Sequence, residues 1–483
     1  MNVVVICSDT FRYDHLGFLK KHDVQTPNLD RLARESATFS DFQLASFPSL
    51  SNRIEIFSGR FAFPFFNTGP MPFEFPTLAE VLSRHGVTSA LWGDNFQVMK
   101  KRRQYGRGFD HLQAIPGRSR DEFQPSTTPM IELSCAAEKL EPVRERLDQY
   151  RRNAWWYRQQ GTPTTAILFR KVTEWLKQAR SPFFTWIEVF DPHQPWDPSP
   201  QFRELYPWNK DGEVLIWPKS GYASRYSTAD LENIHSLYKA QVTQFDSMLG
   251  TFLDSLRDQG LLDNTALLFC SDHGYYLGEH GFLGKPSLRQ TSEPTMFYEE
   301  LAHLPLLFRH PEGLAAGKTI SGLCQPPDLY ATVLELLEIP LVPWVQGNSL
   351  APRLRGHGTA RSVAVAGSYP TRPGRLASLA VWTDQWCLMY SPFAGLDGSA
   401  LFQRDRDPGQ THNVLAEYHG VADNLFEQLV QWLDDLGVPR HRQQQLLRNT
   451  QFPVLYKLHY NAMLLQKRFS HWRHYRNYRK RRR

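Results

Sequence analysis

Short apolar runs alternate with longer helical patterns through much of this chain, and that alternation constrains the fold more than any other feature. Apolar runs that end in polar residues predict strands at Val3–Ser8, Thr88–Trp92, Phe183–Phe190 and Ala266–Ser271. Between them the spacing predicts helices at Pro27–Glu35, Thr77–His85, Thr164–Gln178 and Thr228–Gln259. Strands that are apolar on both faces and separated by helices predict an α/β fold, in which helices sandwich a large, mostly parallel sheet.

The pattern changes after about Arg372, where short strands and turns replace the long alternation. Residues 376–390 predict two antiparallel strands, and a helix is predicted at Val421–Leu436. We therefore expect a catalytic domain, a small C-terminal α+β domain and a basic extension, at residues 1–372, 373–440 and 441–483. Residues 114–161 are irregular and then charged, which is typical of an inserted lid or interface arm.

The composition favours a folded protein of the cytoplasm. Hydrophobic residues make up 41% of the 483 and charged residues 22%, which argues against a disordered chain. No apolar run approaches the roughly 20 residues that a membrane-spanning helix needs. The N-terminus opens directly into an apolar strand, without the charged and then apolar regions of a signal peptide, so we expect a cytoplasmic location.

The basic character of the chain is concentrated at its C-terminal end. Residues 467–483 contain nine Lys and Arg and no acid, so without them the formal net charge of +6 becomes −3. Phe469, Trp472, Tyr475 and Tyr478 recur every three residues, which is compatible with one helix face. We expect this tail to contact a neighbouring subunit of a homo-oligomer or to be disordered, and an anionic membrane or nucleic acid is the alternative partner.

Candidate ligands follow three of the predicted strands where each strand ends. Asp9 follows the first, Asp191-Pro192-His193 the third, and Asp272-His273-Gly274 the fourth. In parallel sheets of this kind, ligands bind at the carboxyl ends of the strands. A carboxylate beside an imidazole can hold one cation, and these donors suit calcium, manganese or zinc. An Asp-His surface turn and a structural histidine in a rigid turn are the alternatives.

Two further segments indicate an anion-binding site. Gly278-Glu279-His280-Gly281 and Gly284-Lys285 form a glycine-rich loop that can bring a lysine and backbone amides close to an anion. Pro48 keeps the preceding residue extended, Ser49 can cap the following helix, and Arg53 shares the helix face of Ser49. A hydroxyl beside a guanidinium at a helix N-terminus is typical of a nucleophile in an anion pocket. A plain capping serine with a solvated arginine is the alternative.

These motifs occur in the order in which the sulfatase family of the alkaline phosphatase superfamily carries them. The chain resembles the arylsulfatases and phosphonate monoester hydrolases of that family, and the resemblance covers most of its length. The matching segments are Ser8–Gly17, Thr26–Asp30, the segment around Ser49, Gly108–Asp110, Asp191–Trp196, Ser271–Lys285, Tyr298–Glu300, Leu401–Phe402 and Asp407–Asn413. The resemblance implies an alkaline-phosphatase-like fold.

The resemblance also implies a metal site. Asp9, Asp272 and His273 would bind one divalent metal ion, with Ser49 completing its coordination shell. Ca²⁺ or Mn²⁺ is expected before Zn²⁺. The family often has a second acid after the first strand, where this chain has Thr10. The expected shell therefore has one fewer acidic ligand, because a threonine supplies at most a weak neutral oxygen.

The remaining implied roles concern the reaction itself. Ser49 would be the nucleophile, and Arg53 would steady it. His193 and Lys285 would hold the oxyanion and the leaving group of the substrate. Substrate contacts are also expected from Asn67 and Asn95, which lie where related enzymes place further polar groups.

The segment around the nucleophile departs from the family pattern. The family usually carries a Cys or Ser that maturation converts to formylglycine, in the pattern Cys/Ser-x-Pro-x-Arg. Counted from Ser46 the proline fits, but Leu50 replaces the arginine. Counted from Ser49 the arginine at Arg53 fits, but Ser51 replaces the proline. Because the arginine and the helix geometry carry the chemistry, we expect Ser49 to be the nucleophile and to act unmodified.

An unmodified serine bears on the substrate. A formylglycine hydrate expels sulfate by collapsing to the aldehyde, whereas a serine phosphoryl adduct is opened by water in line. We expect a hydrolase of small-molecule sulfate, phosphate or phosphonate esters, with a preference for the phosphorus esters. Two alternatives are a non-catalytic binder of sulfated or phosphorylated ligands, favoured by Thr10 and Ser51, and a transferase that passes the same group to an acceptor alcohol.

Overall fold

The computed structural model describes residues 1–448 except residues 134, 136–138, 142–143, 292–294 and 370–377. The basic tail therefore lies outside the described residues from 449 onward, and the expectations for it stay predictions. The predicted boundary between residues 372 and 373 also lies outside them.

Each strand and helix predicted from the first part of the sequence forms, with ends that differ by one or two residues. The strands are β1 (Asn2–Ser8), β2 (Ala37–Phe39), β3 (Thr88–Gly93), β4 (His111–Ala114), β5 (Phe183–Val189), β6 (Gly221–Tyr222), β7 (Thr265–Ser271), β8 (Tyr276–Leu277), β9 (Phe282–Gly284), β10 (Leu306–Arg309), β11 (Thr319–Ile320), β12 (Ala364–Ala366), β13 (Leu379–Trp382), β14 (Trp386–Ser391) and β15 (Gly395–Gln403). The α-helices are α1 (Pro27–Arg34), α2 (Ser49–Ser58), α3 (Leu78–Arg84), α4 (Arg144–Gln160), α5 (Thr164–Leu176), α6 (Pro200–Arg203), α7 (Thr228–Asp258), α8 (Leu288–Thr291), α9 (Glu299–Ala302), α10 (Pro327–Leu336), α11 (Ala351–Leu354), α12 (His419–Asp435) and α13 (Arg440–Leu447).

Eight strands form the large sheet, in the order β11-β2-β10-β7-β1-β5-β3-β4. The strands from β7 to β4 are parallel, and β10 is antiparallel to both of its neighbours. In β1 the side chains of Val3, Val5 and Cys7 enter one apolar core, and those of Val4 and Ile6 enter another. Helices α2, α3 and α10 contribute to the first core, and α1, α5 and α7 to the second. The predicted α/β fold with helices on both faces of the sheet is confirmed.

Local hydrogen bonds explain where the predicted helices begin. Thr77 accepts from the backbone N–H of Glu80, and the Glu80 carboxylate accepts from the N–H of Thr77. Ser227 and Asp230 form the same reciprocal pair before α7. These capping boxes satisfy backbone donors that a helix start leaves unpaired, so Thr77 and Ser227 stand just outside the helices.

A second, antiparallel sheet lies in the C-terminal part, with the order β12-β13-β14-β15. The apolar face of α12 packs on it through Ala422, Leu425 and Leu429. The segment 373–440, which the sequence assigns to a small α+β domain, holds β13, β14, β15 and α12. Strand β12 precedes that segment and completes the sheet.

None of the helices in the described residues is long and apolar enough to cross a membrane. The five cysteines are all free thiols. Cys7 and Cys270 lie opposite each other in the neighbouring strands β1 and β7 and are buried.

Candidate active site

The polar residues at the strand ends meet at one edge of the large sheet. Strands β7, β1, β5 and β3 are adjacent and parallel, so their carboxyl ends lie side by side. Asp9 follows β1, Asp272 and His273 follow β7, and the loop with His193 follows β5. Asn95 lies just after β3. The topology thus brings together residues that are far apart in the chain, as expected for an open parallel sheet.

Thr10 connects the two acids of this edge. Its backbone N–H donates to Asp272 Oδ1 at 3.0 Å, and its hydroxyl donates to Asp9 Oδ1 at 2.7 Å. Thr10 has a φ of 69°, a left-handed conformation that costs a β-branched residue of the order of 1 kcal/mol or more. Thr10 stands where the family often has a second acid. It therefore donates hydrogen bonds that orient both carboxylates.

Asp272 carries an unsatisfied oxygen. Its Oδ1 accepts from the backbone N–H groups of Thr10 and His273, but its Oδ2 accepts no hydrogen bond in the described part of the chain. The side chain is fully buried, and the nearest cation is Arg53, whose Nη1 lies 3.3 Å from Oδ2. A buried carboxylate oxygen in this state is costly unless a further positive charge meets it.

The pKa values of Asp9 and Asp272 also indicate that a further positive charge would stabilise this pair of acids. Burial and the neighbouring carboxylate of Asp272 raise the pKa of Asp9 to about 7. Burial also opposes the ionisation of Asp272, but the charge of Arg53 and the hydrogen bond from the backbone N–H of Thr10 hold its pKa below the ordinary value. Two carboxylates in this arrangement repel each other, and a cation between them would relieve the repulsion.

Arg53 is fully buried against these acids. Its Nε and Nη2 donate to the Glu188 carboxylate at 2.8 and 2.6 Å, and its Nη1 donates to the side chain of Asn52. No hydrogen bond among the described residues joins the guanidinium to Ser49, which it was expected to steady. The sequence motifs do not indicate a role for Glu188. An acid inside the apolar strand β5 nevertheless indicates a buried partner of opposite charge.

Ser49 is the first residue of α2 and lines a cavity at the sheet edge. Its hydroxyl does not cap the helix, because the N-cap position is Pro48. Instead, Ser49 Oγ lies 3.0 Å from His273 Nε2, and His273 Nδ1 lies 2.9 Å from the carbonyl of Gly274. Nδ1 must carry a proton to donate to that carbonyl, so Nε2 presents a lone pair to Ser49.

The family pattern allows either Ser46 or Ser49 at the nucleophile position, and the structure distinguishes them. Ser46 is fully buried; its Oγ donates to the Glu55 carboxylate and accepts from the backbone N–H of Phe63. Burial raises the pKa of Glu55 to about 8. Ser46 therefore belongs to a buried structural network, whereas Ser49 faces the cavity.

His193 and Lys285 form a pair inside the same cavity. Lys285 Nζ lies 3.1 Å from His193 Nε2, and His193 Nδ1 lies 2.5 Å from the carbonyl of Gln194. Burial and the charge of Lys285 hold the pKa of His193 well below its ordinary value. The imidazole is thus neutral with its Nε2 lone pair facing the ammonium group, and Lys285 carries the proton that the pair shares.

The cavity has a volume of about 310 Å³ and is lined by Asp9, Ser49, His193 and Lys285, among others. Asn95 also lines it and donates to Asp9 Oδ2 at 2.9 Å. Asn67 is exposed and does not line the cavity. The structure therefore brings together the expected site residues apart from Asn67, with Arg53 buried behind the cavity lining.

The residues of the edge fit a divalent cation. Asp9, Asp272 and His273 offer ligand atoms that all lie within 4.8 Å of one another. The unsatisfied oxygen of Asp272 is available to a metal, and the lone pair of His273 Nε2 would bind one in place of its present contact with Ser49 Oγ. Carboxylate oxygens with one imidazole nitrogen suit calcium, manganese or zinc.

Comparison with known protein families establishes the family of this chain. A family model described as Sulfatase matches residues 1–339, and a model described as N-sulphoglucosamine sulphohydrolase, C-terminal, matches residues 278–436. The chain belongs to the sulfatase family. As a sulfatase-family enzyme it is a hydrolase of ester bonds, and the family and enzyme class expected from the sequence are confirmed. A divalent metal ion is typical of this family, and the cluster at the sheet edge supplies a group of ligands that could hold one.

The similarity to individual sulfatases extends over most of the chain. An ulvan-active sulfatase of Formosa agariphila is 25% identical over 464 residues, covering 90% of this chain and 81% of that protein. A choline-sulfatase of Rhizobium meliloti is 25% identical over 443 residues, covering 83% and 79%.

Solved structures share the fold. A phosphonate monoester hydrolase of Agrobacterium radiobacter aligns with a TM-score of 0.69 at 21% identity, covering 90% of this chain and 96% of that one. A protein solved in complex with its substrate, D-glucosamine-2-N,6-O-disulfate, aligns with a TM-score of 0.70 at 19% identity, covering 92% and 99%.

Proposed function

We propose that this sulfatase-family enzyme is a metal-dependent hydrolase of sulfate, phosphate or phosphonate esters that uses Ser49 as its nucleophile. The observation that carries the proposal is the cluster at the sheet edge, where Ser49 Oγ contacts His273 beside the unsatisfied oxygen of Asp272. A nucleophile next to the proposed metal ligands, in a cavity that also holds a half-buried lysine, is the arrangement that ester transfer requires.

Asp9, Asp272, His273 and Ser49 would hold the metal. Carboxylate oxygens favour Ca²⁺ or Mn²⁺, and the imidazole keeps Zn²⁺ a candidate. When bound, the cation would stabilise the alkoxide form of Ser49 and neutralise charge on the transferring group. Asn95 and Thr10 hold the Asp9 carboxylate in place through hydrogen bonds of 2.9 and 2.7 Å.

The reaction then has two steps. In the first, Ser49 Oγ releases its proton to solvent and forms a bond to the sulfur or phosphorus atom, the bond to the leaving oxygen breaks, and that oxygen takes a proton from the Lys285–His193 pair. In the second, water attacks the same atom and returns a proton to the pair, the bond to Ser49 Oγ breaks, and Ser49 takes up a proton from solvent as the sulfate, phosphate or phosphonate product leaves. Lys285 also offsets negative charge on the group in transfer.

We infer that Ser49 acts unmodified, because Ser51 replaces the proline of the maturation pattern. A plain serine favours phosphorus esters, since water can open a phosphoryl adduct in line. Named relatives of the chain include sulfatases, and a phosphonate monoester hydrolase shares its fold. Both ester classes therefore belong in a substrate test.

The proposal is tested by a screen of an aryl sulfate, a phosphate monoester, a phosphate diester and a phosphonate ester, with Ca²⁺, Mn²⁺ and Zn²⁺. We expect metal-dependent turnover by the wild type and its loss in Ser49→Ala. Ser51→Ala is the matched control, because Ser51 lies in the same helix with a buried Oγ that has no hydrogen-bond partner in the described residues. Absence of Ser49-dependent turnover would leave a non-catalytic binder, and a product transferred to an added alcohol would indicate a transferase.

The state of Ser49 is tested separately by mass spectrometry of the peptide that contains it. We expect the mass of an unmodified serine. An aldehyde at this position would contradict the inference and would make sulfate esters the favoured substrates.

A further inference from the structure

The cavity that holds Ser49 also contains a cationic side chain, Arg120, that forms no ion pair with a described residue. Arg120 lines this cavity together with Glu141, Phe96 and Trp217. Its guanidinium carbon lies 5.9 Å from the ring centre of Phe96 and 5.8 Å from that of Trp217. Contacts of this kind engage the face of the guanidinium and leave the N–H groups at its edge free to donate.

Neighbouring residues hold the backbone around Arg120 in place. Arg118, two residues earlier, donates from Nε to Asp191 Oδ1 at 2.9 Å. The carbonyl of Ser119 accepts from Asn153 Nδ2 at 2.9 Å. A side chain that leaves a fixed backbone and contacts two aromatic rings is oriented before a ligand arrives.

The two arginines of this segment differ in their charge partners. Arg118 is paired with the buried Asp191 carboxylate. No carboxylate of a described residue forms an ion pair with Arg120, and no described residue accepts a hydrogen bond from its guanidinium. Glu141 lines the same cavity, but its carboxylate accepts from Gln290 Nε2 at 3.3 Å. Burial and the charge of Arg146 lower the pKa of Arg120, and Glu141 offsets them only in part.

We propose that Arg120 binds a second anionic group of the substrate, a carboxylate or a second sulfate carried by the leaving alcohol. The inference rests on the proposed function, in which the reacting group lies at Ser49 and Lys285 in the same cavity. A guanidinium edge matches the paired oxygens of either anion and would form two charge-assisted hydrogen bonds with it. The favoured substrates are then esters with at least two negative groups.

The test compares anions that differ in one charge. The non-hydrolysable probes are 3-(sulfomethyl)benzoate and its methyl ester, and the dianion 1,3-bis(sulfonatomethyl)benzene represents a second sulfate. Isothermal titration calorimetry on the full chain measures the affinity of each probe for wild type, Arg120→Gln, Arg120→Lys and Arg203→Gln. Arg203 is the matched control, since it also lies over an aromatic ring, that of Trp208 at 4.4 Å, but does not line this cavity.

We expect wild type to bind one of the doubly anionic probes about tenfold more tightly than the methyl ester, the difference that about 1.4 kcal/mol gives. Arg120→Gln should abolish this preference, Arg120→Lys should keep part of it, and Arg203→Gln should keep it all. The tighter of the two doubly anionic probes identifies the anion that the site selects. Equal preferences in wild type and Arg120→Gln, or an equal loss in Arg203→Gln, would overturn the inference.

Turnover of the matching esters, 3-(sulfooxy)benzoate and its methyl ester, separates this inference from the proposed function. Hydrolysis of both esters with no effect of Arg120→Gln on KM would refute the role of Arg120 alone. An Arg120-dependent binding preference without Ser49-dependent hydrolysis would support the anion site and refute the proposed function alone.

Discussion

Two groups of acids and histidines in this enzyme have similarly close ligand atoms. They differ in the partners of their carboxylates. In each group the ligand atoms lie within 4.8 Å of one another. The first group, Asp9, Asp272 and His273, is the proposed metal site and is called the catalytic cluster. The second, Asp14, His15 and His22, is called the Arg12 cluster.

In the Arg12 cluster the carboxylate is already satisfied. Asp14 accepts two hydrogen bonds from the Arg12 guanidinium at 2.9 and 2.6 Å, and a ring nitrogen of each histidine lies 2.8 Å from it. The charge of Arg12 and the hydrogen bonds from the two histidines outweigh the effect of burial and hold the pKa of Asp14 well below its ordinary value. Among the described residues, the buried atom of this cluster without a hydrogen-bond partner is Nε2 of His15, on a ring whose pKa burial lowers to about 4.

The catalytic cluster has the opposite arrangement. Its unsatisfied atom is a carboxylate oxygen of Asp272, and the second acid, Asp9, has a raised pKa. Close spacing of ligand atoms is therefore not enough to indicate a metal site. The difference lies in whether the neighbouring arginine donates hydrogen bonds to the acid. Arg12 donates to Asp14, whereas the hydrogen bonds of Arg53 go to Glu188 and Asn52 and leave one oxygen of Asp272 unsatisfied.

The largest effect that tests this comparison is expected from Asp272→Asn. Loss of a charged ligand should release the metal and lower kcat/KM by about a thousandfold, as removal of a key charge-stabilising group does. Elemental analysis of the purified protein and steady-state kinetics measure the two effects. Asp14→Asn is the control and should keep the metal content of the wild type. An equal loss of metal in both variants would refute the distinction.

The next effect concerns stability. Asp14→Asn should lower the free energy of unfolding by about 3 kcal/mol, because it leaves the buried Arg12 with Glu279 as its remaining acidic side-chain partner. Urea unfolding followed by tryptophan fluorescence measures the change. Asp254→Asn is the control, since Asp254 is half exposed and its ion pairs with Arg31 and Arg257 should contribute roughly 1 kcal/mol or less. Equal losses would show that the Arg12 cluster is no more than a surface ion pair.

Metal addition should stabilise the folded enzyme through the catalytic cluster. At a metal concentration one hundred times the dissociation constant, the gain is about 2.7 kcal/mol, which appears as a higher melting temperature. The gain should be absent in Asp272→Asn and present in Asp14→Asn. A metal-dependent shift that disappears in Asp14→Asn instead would place the metal in the Arg12 cluster.

The last effect is a pH dependence that belongs to the Arg12 cluster. The pKa of His15 is about 4 in the folded protein, against an ordinary value of 6.5. As the pH falls below 6.5 the unfolded chain takes up a proton that the folded protein refuses until about pH 4, so stability falls with pH in this window. The slope from one proton is at most about 1.4 kcal/mol per pH unit. His15→Gln should reduce the slope, as measured by unfolding between pH 4 and 7, and an unchanged slope would contradict the assignment.

The sequence by itself determined the framework of the enzyme. The alternation of apolar strands and amphipathic helices follows from local spacing, so strands β1, β3, β5 and β7 and helices α1, α3, α5 and α7 could be placed within one or two residues. Parallel topology then requires the residues after neighbouring strands to share one edge, which is why Asp9, Asp272 and His193 could be expected together. The motifs in family order indicated the sulfatase relationship in the same way.

Only the tertiary structure decided where the side chains point. Ser46 and Ser49 are three residues apart, but packing puts one against Glu55 and the other beside His273. Arg53 and Glu188 are 135 residues apart and meet because α2 packs against the sheet face that carries Glu188. Such contacts depend on the packing of distant segments, which spacing along the chain does not encode.

The same limit applies to the substrate contacts. Asn95 enters the cavity and binds Asp9, whereas Asn67 stays exposed, although the family resemblance placed both near the substrate. Arg120 carries no motif, and its position depends on the rings of Phe96 and Trp217, which reach it from other parts of the chain. Local sequence therefore determined the chemistry available at the sheet edge, and long-range packing decided which charges remain unpaired there.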